Sequence, residues 1–262
     1  MRNSGLLMLA LGVLACVQSA RVTPAVGSFA AADDELAAPV THTQPDFCNN
    51  LDCPDFEVLE DYGNGVQLRR YAPSTWAHTE VNEAVYEKAT VVGFQRLFKY
   101  ILGCNNLEAK IDMTAPVATH INLDADDEFT DQYSVAFYLP WEYQSGEDAG
   151  ASKVPGPKDD RVVIDNLPKV DAYVLPFGSY ALGFRVKKLA IDFFDFLDQQ
   201  GITDYYRSSF AVLVYDAPFK PFNRHNEIVV FRTRGDQKAA GCRMVGGNRN
   251  PPFVEPSNIY DL

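Results

Sequence analysis

Four histidines, His42, His78, His120 and His225, are the side chains in this sequence able to exchange a proton or hold a metal near neutral pH. They stand far apart along the chain, and each taken singly reads as a surface or structural histidine. Asp192, Asp195 and Asp198 recur at three-residue spacing, which puts neighbouring pairs on one helix face. Acid–base work by two carboxylates needs a cleft that drives their pKa values apart, and nothing in the sequence puts these in one. They read as a solvated acidic face. No Gly-rich phosphate loop, Gly-x-Ser-x-Gly elbow or His-Glu-x-x-His helix is present. The expectation is a protein that is not an enzyme.

Cysteine offers a different chemistry. Cys16 lies in an apolar N-terminal run, which leaves Cys48, Cys53, Cys104 and Cys242. Four thiols allow three pairings, and the sequence does not choose among them. Cys48 and Cys53 lack a second close Cys or His pair of the kind zinc requires. Two disulfides are therefore expected, in keeping with an oxidising compartment.

That compartment is suggested by Met1–Ala20. Arg2 precedes an apolar run from Leu6 to Val17, too short to span a bilayer, followed by small residues at the end of a signal-peptide pattern. Secretion is the expectation. The expected layout is a signal peptide over 1–20, a flexible Ala/Pro/acidic leader over 21–53, a compact domain over 54–233 and a Gly/Pro-rich tail over 234–262. The 262 residues carry a formal charge of −12. Arg69-Arg70 and Lys187-Lys188 are isolated pairs, so neither a nucleic acid nor an anionic membrane surface is expected as a partner. No later segment has the length and apolarity of a membrane span.

Within the compact region, strands are expected at Val66–Tyr71, Trp76–Val81, Tyr133–Leu139, Val162–Ile164, Ala172–Leu175, Phe210–Tyr215 and Ile228–Phe231. A first helix is expected from about Glu83 to Leu102, with Val91, Phe94, Phe98 and Ile101 at helical spacing and Gly103 ending it. A second is expected over Val186–Gln200, with Leu189, Phe193, Phe196 and Leu197 inward and Gly201 closing it. Gly146–Asp160 is expected to be a loop. The order strand–strand–helix–strand–strand occurs twice, which implies two pseudo-repeats sharing one core. The expected class is α+β, a curved antiparallel sheet or barrel carrying two helices.

Two proline-bearing loops are the most distinctive stretches. One is Lys110-Ile111-Asp112-Met113-Thr114-Ala115-Pro116-Val117. The other runs from Tyr215-Asp216-Ala217-Pro218 through Phe219-Lys220-Pro221-Phe222 to Asn223-Arg224-His225-Asn226-Glu227. With Val66–Tyr71 and Ala72-Pro73-Ser74-Thr75-Trp76, Gly93-Phe94, Lys99–Gly103 and Phe137–Pro140, they resemble the SOUL haem-binding proteins across about Phe56–Thr233. The resemblance implies a distorted antiparallel β-barrel flanked by two α-helices. It also implies reversible binding of haem or a related porphyrin in a shallow apolar cleft beside helix one and the loop before the last strand.

Carried over to this chain, Val91, Phe94 and Phe98 would touch the ring, and Lys99 and Lys220 would meet the propionates, with Arg96 a lesser partner. The axial ligand stays unknown. Some relatives have a histidine where this chain has Arg70, leaving His78, His120, Tyr71 and Met113 as unranked donors. The first reading is thus a secreted tetrapyrrole carrier or scavenger. The alternative is a protein-interaction module presenting an amphipathic helix, motivated by the aromatic surplus of Phe193, Phe194, Phe196 and Leu197 on helix two. A third reading, an enzyme using carboxylates of the barrel, has no motif behind it.

Overall fold

A computed structural model describes residues 44–144 and 154–233. The expected signal segment, the leader up to 43, residue 145 and residues 146–153 of the expected loop, the tail, His42 and Cys242 lie outside the described residues.

Among the described residues, nine strands form one antiparallel sheet, with two α-helices on it. In chain order these are β1 (Phe56–Gly63), β2 (Val66–Tyr71), β3 (Ser74–Asn82), α1 (Tyr86–Ile101), β4 (Val117–Leu123), β5 (Phe129–Tyr138), β6 (Val163–Leu167), β7 (Val170–Phe177), α2 (Gly183–Gln199), β8 (Ser209–Val214) and β9 (Asn226–Phe231). The expected α+β class is what forms, its distorted antiparallel barrel present as a half-barrel sheet carrying the two helices. Its spatial order is β1-β2-β7-β9-β8-β4-β5-β3-β6. Leaving out β1, this order maps onto itself when each strand of the first half is exchanged for its counterpart in the second. The pseudo-two-fold axis falls between β4 and β8. The opening strand of each half pairs with the second strand of the other, β2 with β7 and β6 with β3, so neither half closes its sheet alone.

Two strands escape the sequence pattern. β1 is an edge strand, mostly exposed and carrying Glu57, Glu60 and Asp61, so it shows no apolar alternation. β4 interrupts its alternation with His120 and Asn122, yet it pairs on both sides, with β5 and β8.

Helix faces also differ from the periodicity reading. α1 buries Tyr86, Ala89, Gly93, Leu97, Tyr100 and Ile101. Of the expected apolar stripe only Ile101 belongs to that set; Val91 is 53% exposed and Phe98 37%. The helix has two apolar faces, and the smaller residues, Ala89 and Gly93, let it approach the sheet. α2 buries Val186, Ala190, Phe193, Phe194 and Leu197, with Leu189 and Phe196 packed beside them. The aromatic residues that suggested a partner surface are thus core, which removes the observation behind the interaction-module alternative. Gly103 and Gly201 end the helices at φ 108° and 73°, conformations that favour glycine.

The folded part begins before the expected boundary at Pro54. A 3-10 turn at Asp46–Cys48 leads into a Cys48–Cys53 disulfide, and both cysteines are buried against the sheet. Residues 44–53, assigned by composition to the flexible leader, are docked, and Phe47 stacks on His225 at 4.1 Å between ring centroids.

Candidate functional site

Strand alternation sorts the suggested donors onto two faces. Phe137 on β5 points to α1, where Phe94 meets it edge-on at 5.2 Å. Ala136 and Ser134 therefore point the other way. His78 lies opposite Ala136, and His120 lies opposite Ser134, so both share that far face. The register carries the same parity through Ala211, Val229 and Val174 to Tyr71. His78, His120 and Tyr71 are buried beneath the sheet, away from the α1 stripe.

Their electrostatics agree with a structural role. Burial works against the His78 charge, but hydrogen bonds to Asp165 and Glu80 outweigh it and raise its pKa to about 9. Its Nε2 lies 2.8 Å from Asp165 Oδ2, and its Nδ1 lies 3.4 Å from Ser134 Oγ. That Asp–His–Ser line resembles a hydrolytic triad, but an imidazole already protonated at neutral pH cannot take a serine proton. His120 is pushed down to about 4 by burial, which keeps it neutral within the fold. Arg70, at the position where some relatives carry histidine, makes a two-pronged pair with Asp171 at 2.8 and 3.0 Å. Of the unranked donors, Met113 alone packs on the α1 side, in the cluster that includes Phe94 and Val117.

On the helix side an apolar surface stays open. Val91, Phe94 and Phe98 line one flank of α1, and Phe94 stacks on Phe98 at 5.5 Å. Register puts Val117 beside Phe137 and Val214 beside Val117, and both valines are partly exposed. They extend the apolar floor from α1 across the β4–β8 pair. α2 meets this flank at its start, where the Gly183 N–H donates to Glu87 Oε1 at 2.8 Å.

The loop between β8 and β9 begins where Val214 ends. Buried Arg224 holds it by donating to the carbonyls of Asp216, Ala217 and Lys220 at 3.0, 2.6 and 3.0 Å. Its guanidinium also lies over the Tyr180 ring at 4.6 Å. The loop is fixed from within, and it presents Phe219 and Phe222 to solvent at 85% and 77% exposure. Two such phenylalanines on a braced loop are apolar area that the fold itself leaves uncovered.

The suggested cations are less uniform. Arg96 donates to Thr79 Oγ1 and the Glu80 carbonyl at 2.7 and 2.8 Å, on the flank of α1 turned towards β3. Lys220 is tied to Asp216 at 2.5 Å, so an incoming carboxylate must compete with that pair. Lys99 is exposed in the last turn of α1, about 80° around the helix from Val91 and about 100° from Phe98.

A separate open cavity of about 430 Å³ lies between the disulfide segment and the Met113-Thr114 loop, lined also by Asp52, Asp112 and Glu142. Its carboxylates would repel a dianionic porphyrin. Sequence reasoning named the α1 stripe and the second loop but missed Val117, Val214 and the bracing role of Arg224. Which valine of a strand faces outward is set by its pairing, which the chain does not announce.

The profile of the SOUL heme-binding protein family matches residues 51–231. Heme-binding protein 2 of Mus musculus is 25% identical over 181 residues, spanning 68% of this chain and 84% of its own. The Homo sapiens protein of the same name gives the same identity and coverage. Heme-binding protein 1 of Xenopus laevis is 28% identical over 169 residues, spanning 64% of this chain and 84% of its own.

Proposed function

Because the chain belongs to the SOUL heme-binding protein family, we propose that it binds haem or a related tetrapyrrole reversibly, as a secreted carrier or scavenger rather than an enzyme. The observation that carries this reading is the α1 flank. Val91 and Phe98 are large apolar side chains left exposed on a helix that already has a complete buried face. A porphyrin laid on Val91, Phe94 and Phe98, over Val117 and Val214, removes that area from water at roughly 25 cal/mol per Å², before association costs. Phe219 and Phe222 would cover its outer edge, and Lys99 and Lys220 would face the propionates.

Ring contact dominates this mode of binding. His78, His120 and Tyr71 lie on the other side of the sheet, and Arg70 stays protonated and paired. Of the four donors suggested by the sequence, Met113 is the one on the ligand side among the described residues, and its thioether is a soft, uncharged ligand. The chemistry that haem supplies when bound is therefore incidental to how the protein holds it: the chain covers a flat apolar surface and leaves its carboxylates wet.

The test is to titrate the full chain with hemin and with metal-free protoporphyrin, following quenching of protein fluorescence, and then to repeat with Val91→Asp and Phe98→Asp. The two ligands should bind within about tenfold of each other, and both variants should weaken both ligands. Hemin binding a hundredfold more tightly, or variants that bind as the parent does, would sink the reading.

A further inference from the structure

The Cys48–Cys53 segment crosses the ends of two strands that form the floor of the cleft. Antiparallel pairing brings the start of β4, at Val117, beside the end of β8, at Val214. The segment holds the residue two positions beyond each valine. The Ala115 N–H donates to the Asp52 carbonyl at 3.0 Å, and Asn49 Nδ2 donates to Asp216 Oδ1 at 3.0 Å. Asp216 in turn accepts from the His225 N–H at 2.6 Å and pairs with Lys220, so the same carboxylate anchors both ends of the β8–β9 loop. A third tie runs from the Trp141 N–H to Asp52 Oδ2 at 2.9 Å.

The segment has little regular structure of its own to keep this shape. Asn49 and Asn50 are consecutive residues in the left-handed region, at φ 57° and 60°, which asparagine visits more readily than other non-glycine residues, and Asn49 Nδ2 supports the turn by donating to the Phe47 carbonyl at 3.0 Å. Between them and Asp52 stands no regular secondary structure. The covalent bridge is what closes the six residues into a rigid clamp.

We propose that the Cys48–Cys53 bridge is a redox latch on the cleft, and that opening it weakens tetrapyrrole binding by releasing Ala115 and Asp216. The ligand half of this statement rests on the function proposed above. In the opening step a dithiol's thiolate attacks one bridge sulfur and expels the other as thiolate. The reagent's second thiol then displaces the mixed disulfide, leaving two protein thiols and one cyclic, oxidised dithiol. Cys48 and Cys53 are 1% and 2% exposed, so the attack needs the segment to lift first. Because attack proceeds only from the lifted state, a ligand that favours the clamped state lowers the population open to attack and so slows this reduction.

The test uses the full oxidised chain, Cys48→Ser/Cys53→Ser, and Asn49→Ala with the bridge intact. Amide hydrogen exchange is read at Ala115 and His225, and metal-free protoporphyrin is titrated without reductant, so that no thiol reaches an iron. A latch requires faster exchange at both amides in the double-serine variant, a rise in Kd of about fivefold or more (~1 kcal/mol), and slower dithiol reduction of the parent when protoporphyrin is bound. Asn49→Ala should speed exchange at His225 and leave Ala115 unchanged, which separates lost contact from lost folding. Unchanged exchange at both amides in the double-serine variant overturns the latch whatever the ligand does. Faster exchange with unaltered affinity overturns its coupling to the cleft. If the oxidised parent binds no protoporphyrin, the proposed function fails and the coupling with it, while faster exchange still upholds the bridge as the clamp on the two loops.

Discussion

Phe94 reaches the sheet through Phe137, edge-on at 62° with ring centroids 5.2 Å apart, while its other neighbour, Phe98, stacks on it from one turn further along α1. One aromatic ring thus joins the core to the exposed stripe. Ligand contact and fold stability are mixed at Phe94 and separable at its neighbours.

Val91→Asp and Phe98→Asp should therefore weaken porphyrin binding about tenfold while shifting unfolding by no more than ~1 kcal/mol, since both side chains are exposed. Phe94→Ala should lose both, with an unfolding cost of about 2–4 kcal/mol. Urea denaturation alongside fluorescence titration distinguishes the three. Equal stability losses in all of them would mean that the stripe is core after all.

Gly93 tests how closely α1 sits on the sheet. A Cβ there would lie 2.5 Å from Val135 Cγ2 and 2.6 Å from its Cβ, on a β-branched side chain with no room to turn away. Alanine gains about 1 kcal/mol of helix propensity over glycine, but forcing the helix outward costs typically 1–3 kcal/mol. Gly93→Ala should come out destabilising in thermal unfolding. A rise in Tm would show that the helix can shift freely.

The legible parts of this fold were its short apolar strands. β2 alternates, β5 and β8 read as apolar runs because they are buried on both faces, and the repeated strand–strand–helix order exposed the pseudo-two-fold before any pairing was known. α1 was harder, because Val91, Phe94 and Phe98 have the same spacing whether they face a sheet or a ligand. Tyr86, Ala89 and Gly93 were poor advertisements of a buried face, yet they form it. The far-face histidines could not be sorted from sequence at all. Whether His78 and His120 reach a cleft depends on strand register, and a shift of one residue would have reversed their side. The docking of residues 44–53 rests on the Phe47–His225 stack and on hydrogen bonds to Ala115, Trp141 and Asp216, contacts too scattered along the chain to show in composition.

The two buried histidines give stability a two-sided pH dependence. His78 has its pKa raised to about 9, above the ordinary value of about 6.5. Its contribution is complete below pH ~6.5 and is lost as pH climbs through about 9, on the order of 3 kcal/mol in all. His120 has its pKa lowered to about 4, so protons favour the unfolded chain as pH falls from ~6.5 towards that value. Tm should peak near neutrality and fall on both sides. Asp165→Asn removes the closest partner of His78 and should flatten the alkaline side while leaving the acid side steep. An Asp165→Asn profile parallel to the parent's would show that the His78 pair does not set the alkaline limb.

The far face also holds a buried charge cluster, and its energetics can be taken apart. Glu227 is fully buried, with Oε1 2.9 Å from both Arg69 Nη1 and His225 Nε2 and Oε2 accepting from the Tyr215 hydroxyl at 2.8 Å. Burial opposes its charge, but His225, Arg69 and Tyr215 together hold its pKa below the ordinary carboxylate range. Arg69, itself buried, has its guanidinium 4.2 Å from the centre of the Phe56 ring. Removing one charge from such a pair is worse than removing both, because the survivor stays desolvated without its counterion. Glu227→Gln keeps the side-chain shape yet should cost about 3–5 kcal/mol. Arg69→Met alone strands the carboxylate and should cost a similar amount. The double variant should be less destabilised than the two losses added, by about 2 kcal/mol or more, as expected for groups in direct contact. Urea midpoints for the parent, both single variants and the pair complete the cycle. Additive losses would mean that Arg69 and Glu227 are each held by their other neighbours, His225, Tyr215 and Phe56, rather than by one another.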